Sequence, residues 1–323
     1  MDTLNKLKAV VSGSIKEREI LAPYTTFNIG GAASYFYLVN NSDEMIKLVA
    51  VAEKKKLSYL ILGGGSNLLI SDQGFQGLVI KNNCAKIRIK NDLVEAEAGV
   101  LLSKLLGETM AGALLGLEWA TGIPGTVGGA VCNNAGAYGG QMSDNIIGVK
   151  IIRNGKIKEL TNKKCQFAYR ESIFKKQEKR DVILSVVLKL KKGSAVQLMK
   201  ARENIKLINK KRGKKFSSAS AGSVFKNIFL AEKEIIDFKN KFSQLPEEFM
   251  ESRKIPAAWL IDQCGLKGRA IGGAKVSEEH AGIIINTGTA TAENVIMLIS
   301  VIKQKVRSKF NLQLMEEVEY VGF

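Results

Sequence analysis

Short apolar runs and helix-periodic segments alternate along the first part of the chain. Apolar or alternating runs between turn residues predict β-strands, and apolar residues that recur every three or four positions predict helices. The predicted strands cover residues 34–39, 59–62, 68–70, 78–80, 85–89, 93–98, 147–152, 157–160 and 182–190. Helices are predicted at 43–56 and 101–113, and the first of them completes a β-α-β unit. This order indicates an α+β protein.

The last third of the chain is dominated by predicted helices. They lie at residues 194–211, 257–264 and 292–310, with one strand at 283–286. The first of these helices has an apolar face that we expect to point inward, formed by Leu198, Ala201, Ile205 and Ile208. Thr291 is a suitable N-cap for the last helix because its hydroxyl can accept a hydrogen bond from the first turn.

Two glycine clusters interrupt the pattern, one at residues 63–67 and one that begins at 122–130 and continues to Gly139. Glycine inside a helix or strand costs about 0.5–1 kcal/mol relative to alanine, so we predict loops here. Small residues let main-chain N–H groups approach a ligand, and successive N–H groups suit an anion. The clusters therefore favour a phosphate-bearing cofactor, while a purely structural turn stays open as the alternative for each.

The clusters do not fit the common nucleotide-binding fingerprints. The pattern G-x-G-x-x-G starting at Gly63 would need glycine at position 68, where this chain has Leu68. The residues after it predict a strand instead of a helix. Neither cluster ends in the Gly-Lys-Ser or Gly-Lys-Thr of a P-loop. A Rossmann domain and a P-loop NTPase are both disfavoured.

Composition excludes several other classes of protein. The 323 residues include one histidine and four cysteines, and the cysteines are too widely spaced for a zinc site or a disulfide framework. We therefore expect no metal site. No run of about 18 apolar residues could cross a membrane, and the N-terminal residues lack the apolar core of a secretion signal. These features favour a cytoplasmic protein of two domains, or of three small ones.

The net charge of +17 is concentrated at residues 191–215, where ten Lys or Arg stand against one Glu. Such a segment is typical of a site for nucleic acid or another polyanion. It is also typical of a solvated helix face. We favour the solvated face, because no aromatic residues are interleaved with the charges.

Seven motifs follow one another along nearly the whole chain. They are Thr25-Thr26-Phe27-Asn28-Ile29-Gly30-Gly31, Leu62-Gly63-Gly64-Gly65-Ser66-Asn67, Gly122-Ile123-Pro124-Gly125-Thr126-Val127-Gly128-Gly129-Ala130, Tyr169-Arg170-Glu171-Ser172, Ala221-Gly222-Ser223-Val224-Phe225-Lys226-Asn227, Ala258-Trp259-Leu260-Ile261-Asp262-Gln263 and Glu316-Glu317-Val318. In this order they resemble the UDP-N-acetylenolpyruvoylglucosamine reductase (UDP-N-acetylmuramate dehydrogenase) family. The short interval from Arg170 to Ser223 is similar to the family's shorter type, which lacks an extra loop carrying a substrate-binding tyrosine.

The resemblance implies an α+β fold in two halves. The first is a two-subdomain FAD-binding half of the vanillyl-alcohol-oxidase type, and the second is a C-terminal α+β substrate domain. We expect the first subdomain at residues 1–81 and the second at 82–192, joined by the C-terminal residues 311–323. The substrate domain is expected at residues 193–310.

The resemblance also implies the reaction and its cofactors. NADPH reduces FAD and leaves, and UDP-N-acetylglucosamine enolpyruvate is then reduced to UDP-N-acetylmuramate in peptidoglycan precursor synthesis. Residues 1–190 contain no histidine that could tether the flavin, so we expect noncovalent FAD. The residues expected to bind FAD are Gly63, Gly64, Gly65, Ser66, Asn67, Thr121, Gly122, Ile123, Pro124, Gly125, Gly128, Ala130 and Gly136.

Three catalytic residues follow from matching motifs. Arg170 is expected to bind the substrate carboxylate as negative charge builds on it. Ser223 is expected to protonate the α-carbon after hydride reaches the β-carbon, and Glu317 to polarise or orient the enolate. The residues expected to hold the diphosphate and the sugar are Tyr169, Lys226, Asn227, Lys254 and Gln263.

Two other functions stay open on the residues alone. One is an FAD-dependent oxidase of an alcohol or sugar, which would use oxygen as the acceptor. The other is a non-enzymatic protein that binds polyanions through residues 191–215. The reductase hypothesis predicts a monomer whose partner is a small nucleotide-sugar substrate, with neither nucleic acid nor a membrane as a partner.

Overall fold

The helices and strands form three larger sheets with helices packed on them, in a computed structural model that describes residues 3–176, 181–215 and 218–323. The helices are α1 (Thr3–Lys8), α2 (Ser42–Lys54), α3 (Leu102–Ala111), α4 (Val127–Cys132), α5 (Ile173–Lys176), α6 (Ala195–Lys215), α7 (Glu232–Lys241), α8 (Glu247–Ser252), α9 (Ala257–Gln263) and α10 (Ala292–Phe310). Side chains cap α2 and α10 at their N-termini. Asn41 Oδ1 accepts from Glu44 N in α2, and Thr291 Oγ1 accepts from Asn294 N in α10, as predicted.

The eight-residue strands all lie before residue 190, and the strands after it have two to four residues. They are β1 (Lys16–Ile20), β2 (Ala32–Val39), β3 (Tyr59–Leu62), β4 (Leu68–Ile70), β5 (Phe75–Asn82), β6 (Ile87–Lys90), β7 (Leu93–Glu97), β8 (Leu114–Leu115), β9 (Gly136–Ala137), β10 (Gly140–Gln141), β11 (Ile146–Arg153), β12 (Lys156–Thr161), β13 (Val182–Lys189), β14 (Lys191–Lys192), β15 (Ser220–Ser223), β16 (Ile228–Phe229), β17 (Lys254–Ile255), β18 (Ala270–Ile271), β19 (Ala274–Val276), β20 (Ile283–Asn286) and β21 (Glu319–Val321).

The first sheet has the order β1-β2-β5-β3. Strands β2, β5 and β3 are parallel, as the predicted β-α-β unit requires, and β1 is an antiparallel edge strand. Helix α2 packs Leu48 and Val49 into a core shared with Leu78 and Ile80 of β5. Strand β1 was not predicted because its sequence, KEREI, is mostly charged and exposed.

The second sheet is antiparallel with the order β12-β11-β13-β7-β6. Helices α3 and α4 share a core with its inner residues, among them Val94 and Val186. Helix α6 joins the same core through Leu198, Ala201 and Ile205, so its predicted inward face is confirmed for these three residues. Ile208, the fourth residue of that face, is half-buried.

The third sheet has the order β15-β20-β19-β18, and helices α9 and α10 pack on it. Phe27 and Leu69 from the N-terminal region share its core. Strand β15 is also tied to that region by two hydrogen bonds. Thr26 Oγ1 donates to Ser220 O at 2.7 Å, and Ser220 N donates to Thr26 O at 3.0 Å. The third sheet is therefore fixed on the first part of the chain.

The C-terminal strand corrects one expectation. Strand β21 pairs in parallel with β4, and Val321 joins a core with Leu21 and Ile70. The segment 311–323 was expected to join residues 82–192, but its strand pairs within residues 1–81 instead. The division into 1–81, 82–192 and 193–310 stays a prediction; the three sheets use residues 16–82, 87–189 and 220–286.

Part of the second glycine cluster is helical, where a loop was predicted. Helix α4 takes up Val127–Cys132 and contains both Gly128 and Gly129. A Cβ added to Gly128 would stand 2.8 Å from the Cβ of Ala98. The glycine therefore allows the helix to lie directly on the sheet, and this close packing offsets its low helix propensity.

Candidate active site

The two glycine clusters lie against each other, main chain to main chain. A Cβ added to Gly64 would stand 2.6 Å from Gly125 Cα, and one added to Gly65 would stand 2.2 Å from Tyr24 O. Gly65 has φ 62° and Gly125 has φ 112°, both in the left-handed region that favours glycine. Across the contact, Ser66 Oγ donates to Pro124 O at 3.2 Å. We call residues 63–67 together with 122–129 the glycine cradle.

The cradle contains main-chain donors that the protein itself does not use. Within the described parts of the chain, the N–H groups of Gly64, Gly65, Ser66 and Asn67 donate to no other residue. The same holds for the N–H groups of Gly125 and Thr126 in the touching cluster. Adjacent N–H donors without an internal acceptor suit an anion, which can accept several of them at once.

Lys81 lies beside the cradle and was not anticipated from the sequence. Its Nζ donates to Gly63 O, and burial lowers the pKa of the ammonium group. An anion in the cradle would favour the charged form of this lysine, because opposite charges stabilise each other most in a partly buried site. Its position in the apolar strand β5 concealed it from sequence analysis.

A cluster of charged side chains forms next to the cradle from three segments that lie far apart in the sequence. Arg170 Nε is 2.8 Å from Glu317 Oε1. This Nε is buried and makes no aligned hydrogen bond, so the contact is an ion pair. Arg170 Nη2 donates to Gly136 O at 2.6 Å. We call Arg170, Lys175, Lys226 and Glu317 the charged cluster.

The Glu317 carboxyl lies in a mostly buried position among three cations. Burial raises the pKa of its carboxyl, while the positive charges of Arg170, Lys175 and Lys226 oppose that rise. Its side chain is 17% exposed. A carboxyl in this environment can change its protonation state in response to a nearby charge, which is a property that catalytic carboxyls share.

Ser223 ends strand β15 and is exposed. The next residue, Val224, accepts a hydrogen bond from Glu317 N at 2.7 Å through its carbonyl oxygen and donates to Gly282 O at 2.9 Å. The main chains of Ser223 and Glu317 are therefore neighbours. Of the three residues predicted as catalytic, Arg170 and Glu317 form an ion pair, and Glu317 is bonded to the residue that follows Ser223.

Comparison with known proteins gives the family. Residues 33–161 match the FAD binding domain family, and residues 214–321 match the family described as UDP-N-acetylenolpyruvoylglucosamine reductase, C-terminal domain. The chain is 36% identical over 324 residues to UDP-N-acetylenolpyruvoylglucosamine reductase of Caldanaerobacter subterraneus subsp. tengcongensis, covering 99% of this chain and 98% of that protein. The chain belongs to the UDP-N-acetylenolpyruvoylglucosamine reductase family.

Two further comparisons give the same family. The protein of that name from Solibacter usitatus is 34% identical over 319 residues, which is 98% of this chain and all (100%) of that protein. The crystal structure of the reductase from Thermus caldophilus superposes with a TM-score of 0.74 at 30% identity, covering 95% of this chain and 100% of the other. The predicted family and the α+β fold class, an FAD-binding half and a C-terminal domain, are confirmed. The chain is a flavoprotein oxidoreductase.

The glycine cradle fits the FAD that this family uses. Its unpaired N–H groups suit the pyrophosphate, and Lys81 adds a positive charge nearby. Positions 64 and 65 require glycine because the neighbouring main chain leaves no room for a Cβ. Asn67 is engaged otherwise, since its Nδ2 donates to Asn133 Oδ1 at 3.3 Å and to Glu317 O at 3.1 Å. Asn67 thus connects the cradle to the charged cluster.

Other residues expected to bind FAD have structural contacts of their own. Thr121 Oγ1 donates to Glu118 O at 2.6 Å, and Gly122 has φ 68°. Ile123 and Ala130 belong to the core of the second sheet, and Gly136 O accepts from Arg170. These contacts explain the shape of the segment, and its direct role in binding FAD stays a prediction.

Three of the residues predicted to bind substrate, Tyr169, Lys226 and Asn227, lie close together at the charged cluster. Asn227 N donates to Tyr169 Oη at 3.4 Å, and Asn227 Oδ1 accepts from Ala257 N at 3.2 Å. Lys226 Nζ lies 3.2 Å from Glu171 Oε1. Burial raises the pKa of the Tyr169 phenol. The tyrosine therefore stays neutral and can act as a hydrogen-bond donor.

Lys254 and Gln263 lie farther from this group. Lys254 pairs with Phe229 between β17 and β16, and the Phe229 ring contacts Tyr169 at 4.9 Å between centroids. Gln263 Oε1 accepts from Gln244 Nε2 at 3.4 Å, and its carbonyl accepts from Lys309 Nζ at 2.5 Å. In the described chain, no hydrogen bond or ion pair joins Gln263 to the charged cluster. Its role in substrate binding stays a prediction.

Sequence analysis missed Lys175 and Asn133. Lys175 Nζ donates to Asn133 Oδ1 at 2.9 Å and to Glu317 O at 3.3 Å. Asn133 lies within the second glycine cluster but had no role assigned to it, and Lys175 lies just after Tyr169-Arg170-Glu171-Ser172. These positions were the only available signal, because neither residue type is distinctive alone.

The two competing hypotheses gain no support. Family membership favours a reductase over an oxidase of an alcohol or sugar. The basic helix α6 packs its apolar residues on the second sheet, as a solvated amphipathic helix would. Within the residues described, no helix has the length and apolar character needed to span a membrane, and no group of three or more potential metal ligands is found.

Proposed function

We propose that this protein catalyses the NADPH-dependent reduction of UDP-N-acetylglucosamine enolpyruvate to UDP-N-acetylmuramate, with noncovalently bound FAD. One observation carries the proposal. Asn67 of the glycine cradle hydrogen-bonds the main chain of Glu317, which is paired with Arg170 and bonded through its N–H to Val224, the residue after Ser223. Residues suited to hold the cofactor are therefore in contact with residues suited to the chemistry.

When bound, FAD supplies hydride transfer from NADPH to the β-carbon of the enolpyruvyl group. Addition at that carbon moves negative charge toward the substrate carboxylate. The guanidinium of Arg170 is held by Gly136 O and Glu317 and can bind that carboxylate through its planar fork. Because the carboxylate gains charge in the transition state, this interaction strengthens there and lowers the barrier.

Proton transfer completes the reaction. Ser223 gives its hydroxyl proton to the α-carbon, and solvent restores that proton, which is possible because the residue is exposed. Burial raises the pKa of the Glu317 carboxyl, and the positive charges of Arg170, Lys175 and Lys226 oppose that rise. Glu317 orients the enolate, and the guanidinium of Arg170, which stays charged, divides its contacts between Glu317 and the substrate carboxylate.

The phosphate groups of the substrate bind to Lys226 of the charged cluster and to the residues next to it. Lys226 supplies a compact positive charge, which in the absence of substrate is neutralised by Glu171. The pKa of Glu171 agrees with this pairing, because hydrogen bonds from Lys176 and Lys226 lower the pKa of its carboxyl. Tyr169 and Asn227 supply neutral donors and acceptors. Lys254 pairs with Phe229, whose ring contacts Tyr169.

Anaerobic spectroscopy of the purified protein tests the proposal. A yellow protein that bleaches on adding NADPH and regains its colour on adding UDP-N-acetylglucosamine enolpyruvate is the expected result. Recovery with oxygen but not with the enolpyruvyl substrate would favour an oxidase. A colourless protein that cannot be reconstituted with FAD would refute the proposal.

A further inference from the structure

Lys175 is the member of the charged cluster that contacts the main chain of Glu317. Its side chain is 17% exposed, and its Nζ is 2.9 Å from Asn133 Oδ1, 3.3 Å from Glu317 O and 3.6 Å from Glu319 Oε1. An ammonium group has three donors and no acceptor, and here it makes two hydrogen bonds and an ion pair with the Glu319 carboxylate. None of the roles assigned above to substrate or cofactor binding uses this residue.

The partners of Lys175 form a closed network. Asn67 Nδ2 donates to the same Asn133 Oδ1 and the same Glu317 O that Lys175 contacts. Asn67 belongs to the glycine cradle, and Asn133 follows helix α4 directly. The carbonyl of Glu317 is therefore held by two donors, and both are fixed by segments on the cofactor side.

The charges around Glu317 divide into two kinds. Arg170 and Lys226 lie on the side where the proposed substrate binds, while Lys175 points at the Glu317 main chain and at Glu319. Tyr169 also interacts with Glu317 and Arg170. When a substrate carboxylate and phosphates occupy Arg170 and Lys226, Lys175 is the cation that stays with Glu317. Its attraction persists because the site is partly buried.

We propose that Lys175 is a positioning residue that holds the Glu317 main chain and keeps a positive charge beside it while Arg170 engages substrate. The inference rests on the proposed function, because it assumes that Glu317 acts on the enolate. Lys175 opposes the burial that raises the pKa of Glu317. Removal of Lys175 must then raise the pKa of this carboxyl further, and the pH at which the carboxyl ionises moves upward.

The test compares Lys175→Met with Lys303→Met in the FAD-loaded protein. Lys303 pairs with Glu316 at 2.9 Å, so the control removes the same charge beside the neighbouring residue without touching Glu317. In Lys175→Met we expect reoxidation by the enolpyruvyl substrate to slow roughly 10- to 100-fold, the kinetic equivalent of one hydrogen bond from a charged group. Reduction by NADPH should stay within about two-fold, because that half-reaction does not use Glu317.

Two further readouts separate positioning from general damage. The pH dependence of reoxidation should shift upward in Lys175→Met and not in Lys303→Met. Lys175→Arg should restore most of the rate, since it keeps a donor and the charge. Substrate titration, followed by the change in the bound-flavin spectrum, should give similar affinities in Lys175→Met and wild type. If Lys175→Met loses FAD, Lys175→Gln keeps a donor without the charge and should show the same slow, upward-shifted reoxidation.

Glu317→Gln separates a failure of the role proposed for Lys175 from a failure of the role proposed for Glu317. If Glu317→Gln reoxidises at the wild-type rate, the assigned role of Glu317 fails and with it the proposed mechanism. If Glu317→Gln is slow but Lys175→Met and Lys175→Gln match Lys303→Met in rate and pH profile, the role of Lys175 alone is overturned.

Discussion

The glycine cradle and the charged cluster are adjacent regions built on opposite principles. The cradle consists of main chain, and its close contacts leave no room for a Cβ at Gly64 or Gly65. The charged cluster consists of long side chains whose ends meet, such as Arg170 Nε and Glu317 Oε1 at 2.8 Å. Space governs substitutions in the first region, and charge and hydrogen-bonding capacity govern them in the second.

This difference predicts different failures. A defect in the cradle should weaken FAD retention and the fold together, because the same main-chain contacts serve both. A defect in the charged cluster should leave a folded, yellow protein whose reaction with substrate is slow. The comparison holds only if the two kinds of variant can be separated experimentally.

The largest expected effect lies in the chemistry. Ser223→Ala removes the proposed proton donor, and general-acid steps are typically worth about 10²- to 10⁴-fold. We expect reoxidation of the flavin by substrate to fall by that factor while reduction by NADPH is unchanged, measured by stopped-flow absorbance. Ser218→Ala, at an exposed serine before β15, is the matched control and should behave as wild type. Equal loss of both half-reactions in Ser223→Ala would contradict the assigned role.

A smaller effect, on stability and FAD retention, is expected from steric crowding in the glycine cradle. Gly64→Ala forces a Cβ to 2.6 Å from Gly125 Cα, so it should lower the free energy of unfolding by about 1–3 kcal/mol and accelerate FAD release. Gly107→Ala is the matched control, because a Cβ at Gly107 in α3 has no neighbour within 4 Å. It should raise the free energy of unfolding by about 0.4–1 kcal/mol. Chemical denaturation followed by flavin fluorescence measures both changes, and retention of FAD by Gly64→Ala would break the comparison.

The smallest effect concerns a carboxylate outside both regions. Asp72 Oδ1 accepts from Ala292 N at 3.0 Å and Oδ2 from Glu293 N at 3.3 Å, so this residue caps helix α10 from the first part of the chain. Asp72→Ala should lower the free energy of unfolding by about 1 kcal/mol, a typical value for a lost cap. Asp262→Ala removes only a surface ion pair with Lys267 and should cost less than about 0.5 kcal/mol. A large loss of reoxidation rate in Asp72→Ala would show that the cap also sets the chemistry.

The two regions also differ in how much their sequence discloses. Strands β3, β4 and β20 and helix α10 have the predicted bounds, because apolar runs, turns and the Thr291 cap are local signals. The glycine cradle is equally local, since each of its clusters is continuous in sequence. The helical part of the second cluster was missed because its stability comes from packing Gly128 against Ala98, which no local pattern records.

The charged cluster is not local at all. Arg170, Ser223 and Glu317 could be selected only by resemblance of their motifs, since charged and hydroxyl residues are common and their neighbours are set by the fold. Lys175 lies outside the motifs and Asn133 had no role assigned within its glycine cluster, so both were missed, although they contact Glu317 or its partners. Strand β1 escaped for a related reason, because an exposed edge strand needs no apolar face.

The pairing of β21 with β4 gives the molecule an order of completion during synthesis. The segment that carries Glu317 is made 250 residues after Asn67. Until that last segment is made, β4 lacks its partner strand and the cradle lacks its contact with Glu317. The edge of β4 and the charged cluster are therefore completed by the same late segment of the chain.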